Sequence, residues 1–173
     1  ITRQEQERDW KNLIFQEMDL SLRQSELFCL CGVTGSGKSQ LSYQFANFLA
    51  ENDQKLMFAS FEIPIEGMLL QLGHQKLGRP PLHEECGEIA KLLGENMFFV
   101  DDTLLRDHRS NWEGLKQEII LAKKKYGVST VFIDSYTYLS PKMDFEHQGI
   151  ISKDLARTCF QNEVSLVLIA HAD

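Results

Sequence analysis

The chain has 173 residues, enough for one domain with a sizeable core, and 43% of them are hydrophobic and 25% charged, as in ordinary globular proteins. A net charge of −7 argues against a protein that coats nucleic acid generally. No apolar run approaches the ~20 residues of a membrane-spanning helix, and the polar stretch Ile1 to Lys11 is no secretory signal.

Thr2 to about Leu20 has helical periodicity, with Trp10, Leu13, Ile14 and Met18 as its apolar stripe. Residues 1–22 are read as an N-terminal linker helix and residues 23–173 as the main domain. The first strand is Leu27 to Cys31, a short apolar run expected to be buried. Gly32-Val33-Thr34-Gly35-Ser36-Gly37-Lys38-Ser39 follows it and fits the phosphate-binding loop G-x-x-x-x-G-K-[ST]. Gln40 to Glu51 reads as a helix with Leu41, Phe45, Phe48 and Leu49 on its core face. Strand, glycine loop and helix form the unit that cradles phosphates: the glycines let N–H groups turn inward, and the helix N-terminus adds partial positive charge. Lys38 is expected to reach the β- and γ-phosphates and the Ser39 hydroxyl to hold Mg²⁺, with Gln40 completing the binding stretch.

Lys55 to Ser60 predicts a second strand, ending in Phe61-Glu62-Ile63-Pro64. Pro64 opens a helix carrying Met68, Leu69, Leu72 and Leu77. Gly78-Arg79-Pro80-Pro81 breaks the chain, and His83 to Leu93 predicts a short helix. Met97 to Asp101 is a third strand. Asn111 to Tyr126 is a helix with Trp112, Leu115, Ile119 and Ala122 inward, and Lys123-Lys124-Lys125 reads as its solvated end. Thr130 to Asp134 is a fourth strand, Tyr138 to Gly149 a polar loop, Ile150 to Asn162 a helix and Val164 to Ala170 a fifth strand. Alternating strands and helices imply an α/β fold: a parallel sheet of about five or more strands with helices on both faces. Cys29, Cys31, Cys86 and Cys159 lack partners at metal-ligand spacing and are read as buried reduced thiols.

In a parallel sheet the site lies at the carboxyl ends of the strands. Asp134 ends an apolar strand there, as a Walker B aspartate does beside Mg²⁺. Glu62 ends the second strand, placed next to the loop strand or one away, and is suited to orient or deprotonate an attacking water. Asp101 and Asp102 are lesser candidates for that role. His171 ends the fifth strand, within reach of a γ-phosphate.

The loop, the strand end Ser60 to Pro64, the strand Val131 to Asp134 and the tail Leu168-Ile169-Ala170-His171 together resemble the ring-shaped replicative DNA helicases with a RecA-like core. These are the DnaB type, the phage primase-helicases and mitochondrial Twinkle, and the likeness covers about residues 25–173. It implies Glu62 as the catalytic carboxylate, Asp134 as the Mg²⁺ partner and His171 as the sensor coupling the γ-phosphate to DNA. It also implies ATP and Mg²⁺ as ligands, single-stranded DNA in the channel of a homo-hexamer, and a primase as a further partner. The location implied is cytoplasmic, or the mitochondrial nucleoid for a Twinkle-like protein. The family carries an arginine finger and a DNA-binding loop beyond the position of His171, so a chain ending at Asp173 is read as C-terminally incomplete. The loop Ser140 to Gly149 offers only Lys142 and His147 as basic groups. Other classes stay open: a recombinase or clock-type RecA-like ATPase, a loader subunit with little turnover, or a small-molecule kinase with Arg106-Asp107-His108-Arg109 as its lid.

Overall fold

The computed structural model describes residues 24–100, 111–136 and 145–172. Its strands are β1 (Leu27–Gly32), β2 (Leu56–Ser60), β3 (Met97–Val100), β4 (Thr130–Asp134) and β5 (Ser165–His171). Its helices are α1 (Lys38–Glu51), α2 (Ile65–Leu77), α3 (Cys86–Gly94, preceded by a 3₁₀ turn at His83–Glu85), α4 (Asn111–Tyr126) and α5 (Phe145–Gln161). All strands pair in parallel, in the order β1-β5-β4-β2-β3, which is the α/β architecture expected.

Strand side chains alternate between faces, and the core divides accordingly. Leu56 and Phe58 of β2, Phe132 of β4 and Val167 and Ile169 of β5 meet Tyr43, Ala46 and Leu49 of α1 and Met68 and Leu72 of α2. Met57, Ala59, Val131, Ile133, Leu166 and Leu168 point the other way, onto Trp112, Leu115 and Ile119 of α4 and Ile151, Leu155 and Cys159 of α5. The central strands β2 and β4 are buried along their whole length, so their sequences are continuous apolar runs rather than alternating ones. Phe58 and Phe132 stack at 4.8 Å in the middle of the first layer. On the second, Trp112 Nε1–H donates to Asp154 Oδ2 (2.8 Å), which also pairs with Lys116 Nζ (2.9 Å), and so locks α4 to α5.

Four expectations are corrected. Among the described residues β1 is an edge strand: Phe28 and Leu30 face the α1 layer, while Leu27 stays 44% exposed and Cys29 and Cys31 are exposed, not buried. Cys159 alone of the four thiols is fully buried, and burial pushes its pKa up to about 12. In α1 Leu49 is core as expected and Phe45 and Phe48 pack against that core, but the face extends further round, since Lys38, Ser42, Tyr43, Ala46 and Asn47 are buried with Leu49 while Leu41 is half-buried. That stripe continues from the loop lysine, and small residues occupy it where helix and sheet approach. Finally, α5 begins at Phe145, so residues 145–149 are helical rather than part of a polar loop. The Tyr136 hydroxyl donates to the Gln148 carbonyl (2.7 Å) and lies 2.9 Å from Ser152 Oγ, tying this first turn to the end of β4. The expected N-terminal helix, Asp101, Asp102, Arg106 to Arg109 and Lys142 lie outside the described residues. No helix among the described residues is long and apolar enough to cross a membrane.

Candidate active site

The site grows from the junction of β1 and α1. Gly35 and Gly37 have φ of 79° and 85°, in the left-handed region that residues with a Cβ adopt only at a cost. Such residues direct successive N–H groups to one side, the concavity that takes an anion. Gly37 is the N-cap of α1, whose first turn contains no acidic residue to compete for that position. Val33, Thr34 and Ser36 are exposed around the loop, closed by Ser36 N–H donating to the Val33 carbonyl (3.2 Å). A Cβ at Gly32 would come within 3.0 Å of Ser36 Oγ, so a side chain there would crowd the loop.

Lys38 is almost buried, and its ammonium donates to the carbonyls of Gly32 and Val33, both at 2.8 Å. The Gly32 carbonyl also accepts the Ala172 N–H at 3.1 Å, beyond the pairing of Gly32 with His171. Loop and β5 tip therefore share one oxygen.

Parallel register brings the carboxylates together. Ser60, Asp134 and Ile169 stand side by side on β2, β4 and β5, and Phe61 N–H donates to the Asp134 carbonyl (2.7 Å), extending β2 to the turn that carries Glu62. The Ser60 hydroxyl braces this turn, donating to the Ile63 carbonyl (3.0 Å) and accepting from the Ile63 N–H (3.4 Å). The position of Glu62 needs correction: β5 and β4 both lie between its strand and the loop strand. Its side chain nevertheless reaches the site, since His171 Nε2–H donates to Glu62 Oε1 at 2.6 Å across the end of β4. The other ring nitrogen, Nδ1, is buried without a partner among the described residues.

Asp134 is 1% exposed. Burial pushes its carboxyl above the ordinary aspartate range; a hydrogen bond from Ser39 opposes this, the Glu62 charge adds to it, and His171 and Lys38 oppose it. Its Oδ1 has no hydrogen-bond partner among the described residues. Buried carboxylate oxygens are normally paired or bound to a cation. The pair Ser39 and Asp134 suits Mg²⁺, a hard ion that takes a few oxygen ligands from protein and keeps the rest for water and phosphate. Four of the expected functional groups thus converge with Ser39: Lys38, Glu62, Asp134 and His171. Gln40 does not join them. Its side chain turns to α2, where its amide donates to Gln71 Oε1 (3.1 Å) and Gln75 Nε2 donates to its Oε1 (2.7 Å).

Tyr43 escaped the sequence reading. It is fully buried one helical turn beyond Ser39, and its phenol is pushed upward by burial first and then by Asp134 and Glu62. The spacing of four residues from Ser39 was the signal available. The lysine run behaves as a helix end: Lys123 Nζ donates to the Glu163 carbonyl (3.1 Å), and Lys125 Nζ sits 4.9 Å from the Tyr126 ring centroid. His147 lies in the exposed first turn of α5. No family model matches this chain, and neither does any curated protein.

Proposed function

We propose that the chain is the ATP-hydrolysing core of a motor protein, within the class of replicative DNA helicases. One observation carries the hydrolytic part: at the carboxyl ends of one parallel sheet, a phosphate-loop lysine and serine converge with a buried aspartate and a second carboxylate held by a histidine. In this proposal Lys38 leaves the loop carbonyls for the β- and γ-phosphate oxygens of ATP. Ser39 and Asp134 would hold Mg²⁺, which when bound neutralises charge on those oxygens. Glu62 takes a proton from water as the water oxygen bonds to the γ-phosphorus and the bond to the bridging oxygen breaks, releasing ADP and phosphate. The 2.6 Å bond from His171, 109 positions away, supports the reading of Glu62 as part of this site.

The helicase assignment within that class rests on the resemblance of Ser60 to Pro64 and Leu168 to His171, as do a homo-hexamer, single-stranded DNA, a primase partner and a cytoplasmic or nucleoid location. Calorimetry with ATP and Mg²⁺ tests the binding step: Lys38→Ala should bind much more weakly than the parent, and equal affinity would reject the placement. ATPase stimulation by single-stranded DNA tests the helicase step. Equal hydrolysis of ATP with and without DNA would reject the helicase assignment.

A further inference from the structure

We propose that the Glu62–His171 pair is a latch that a triphosphate must open and a diphosphate does not touch, so that the two residues together set how the site distinguishes the two nucleotides. This rests on the nucleotide-hydrolysing reading above and adds a resting state to it.

The imidazole Nε2 can give its one proton to one acceptor at full strength. In this structure it gives it to Glu62 Oε1, at 2.6 Å. A γ-phosphate oxygen entering the crevice between Lys38 and Asp134 would compete for the same donor. At the opposite edge of the ring no second hydrogen bond from the described residues adds to the hold of Glu62. A histidine meant to stay put is usually held at both nitrogens, one by its working partner and the other by a backbone carbonyl or carboxylate. Nδ1 of His171 is buried and has no such partner among the described residues. The ring is thus held by Glu62 on one side and carries an unmet polar atom on the other, a cost of the closed form that a reoriented ring could relieve.

Lys38 shows the same design. Its ammonium is satisfied internally by Gly32 and Val33, and Gly32 is the register partner of His171. Both donors that would meet a terminal phosphate are therefore engaged within the protein: Lys38, at the start of α1, on the Gly32 carbonyl of β1, and His171 on the adjacent strand in register with Gly32. The shared Gly32 carbonyl, bonded to both Lys38 Nζ and Ala172 N–H, links the two. While the latch is closed, one oxygen of Glu62 is occupied by His171 and is not free to meet an attacking water. Arrival of a γ-phosphate draws His171 away and frees Glu62 at the moment its substrate is in place. A ligand that meets its site only after a closed form opens binds with an affinity reduced by the fraction of molecules already open. That reduction applies to ATP and not to ADP, which has no γ-phosphate.

The test is a double-mutant cycle read by binding, on the whole chain, with Mg²⁺ and either ADP or the non-hydrolysable β,γ-imido analogue of ATP. Glu62→Ala opens the latch and should tighten analogue binding by about threefold to tenfold, within the coupling range usual for contacting residues. It should leave ADP binding unchanged, which also verifies that the variant is folded. In the His171→Ala background the same change at Glu62 should bring no comparable gain, because the donor that benefits is gone. A gain of equal size in both backgrounds would mean simple relief of charge repulsion and would overturn the latch. Tightening of ADP and analogue alike would overturn it too. Nitrogen-15 NMR of the imidazole supplies a readout independent of nucleotide affinity: the His171 Nε2 resonance should shift on Glu62→Ala and on adding the analogue, but not on adding ADP. A resonance indifferent to Glu62 would reject the pair. If the parent binds both nucleotides and the cycle is additive, the latch falls alone. If the parent binds neither, the nucleotide-site reading falls and the latch with it.

Discussion

Asp134→Asn should make the protein more stable and, under the proposed function, remove Mg²⁺-dependent hydrolysis. The side chain is 1% exposed and Oδ1 has no partner among the described residues, so its charge is held in a place that does not solvate it. The partial compensation from Ser39, His171 and Lys38 does not offset burial, because the carboxyl remains shifted upward. A carboxyl whose pKa is higher in the folded state is bound more favourably when protonated. Its contribution to stability is fully present below the ordinary aspartate value of about 3.9 and is lost as pH rises through the folded value. At neutral pH the ionised group is therefore a net cost. An unsatisfied buried polar group costs ~1–3 kcal/mol. Asparagine keeps the shape and some of that burden but drops the charge, so a gain of about 1–2 kcal/mol is reasonable. For a domain of this size that raises the melting temperature by about 2–8 °C. The assay is thermal unfolding in EDTA at pH 7, repeated at descending pH. The gain should shrink as pH falls from above the ordinary aspartate range into it, because the parent becomes neutral as well. A variant less stable than the parent at pH 7 would refute the reasoning and make Asp134 a structural residue.

Glu62→Gln should retain ATP binding and lose hydrolysis by ~10²–10⁴-fold, the usual contribution of a positioned base; if Asp102→Asn abolishes turnover and Glu62→Gln does not, the base lies on the other strand end. His171→Ala, in a protein that responds to DNA, should leave ATP affinity nearly intact and reduce stimulation by single-stranded DNA, and normal stimulation would leave His171 without a coupling role. Phe132→Ala, which removes a fully buried ring stacked on Phe58, should cost about 3–5 kcal/mol in urea unfolding. Native alkylation at pH 8 followed by mass spectrometry should modify Cys29 and Cys31 and spare Cys159 until denaturant is added.

The parts of the site that could be read from sequence are those in which local backbone demands dictate residue type. A turn with left-handed positions requires glycines, so Gly35 and Gly37 announced the loop, and an apolar run with a terminal acid announced β4 and Asp134. The meeting of Glu62 with His171 was not legible, because it depends on β4 lying between β2 and β5, and strand order leaves no trace in hydrophobic period. The same gap explains β1: an apolar run looks alike whether it lies at the centre of a sheet or at its edge. In α1 the expected face of Leu41, Phe45, Phe48 and Leu49 holds in part, since Leu49 is fully buried and Phe45 and Phe48 pack against the core, but Ser42 and Ala46 sit deeper and their small volume hid them. Gly149 and the polar residues near it suggested a loop, and the hydrogen bonds from Tyr136 outweigh that weak local preference.

The position of β1 governs when the site can exist at all. Among the described residues its only strand neighbour is β5, and the first tie between them, Ser25 N–H to Ser165 Oγ, spans 140 residues. Strands β2, β3 and β4 can pair with one another earlier, over shorter chain separations. At a synthesis rate of about 5–20 residues per second, the phosphate loop waits roughly 7–28 s for the strand that anchors it. During that interval a nascent chain carries the loop's full amino-acid signature without a surface able to hold a nucleotide. Closing so long a span is also the slow kind of step in a refolding reaction, since non-local pairing must precede any return in contacts. Under the proposed function nucleotide capture would thus be a late event in the protein's own assembly, and a refolding time course followed by a fluorescent nucleotide should lag behind one followed by helix content.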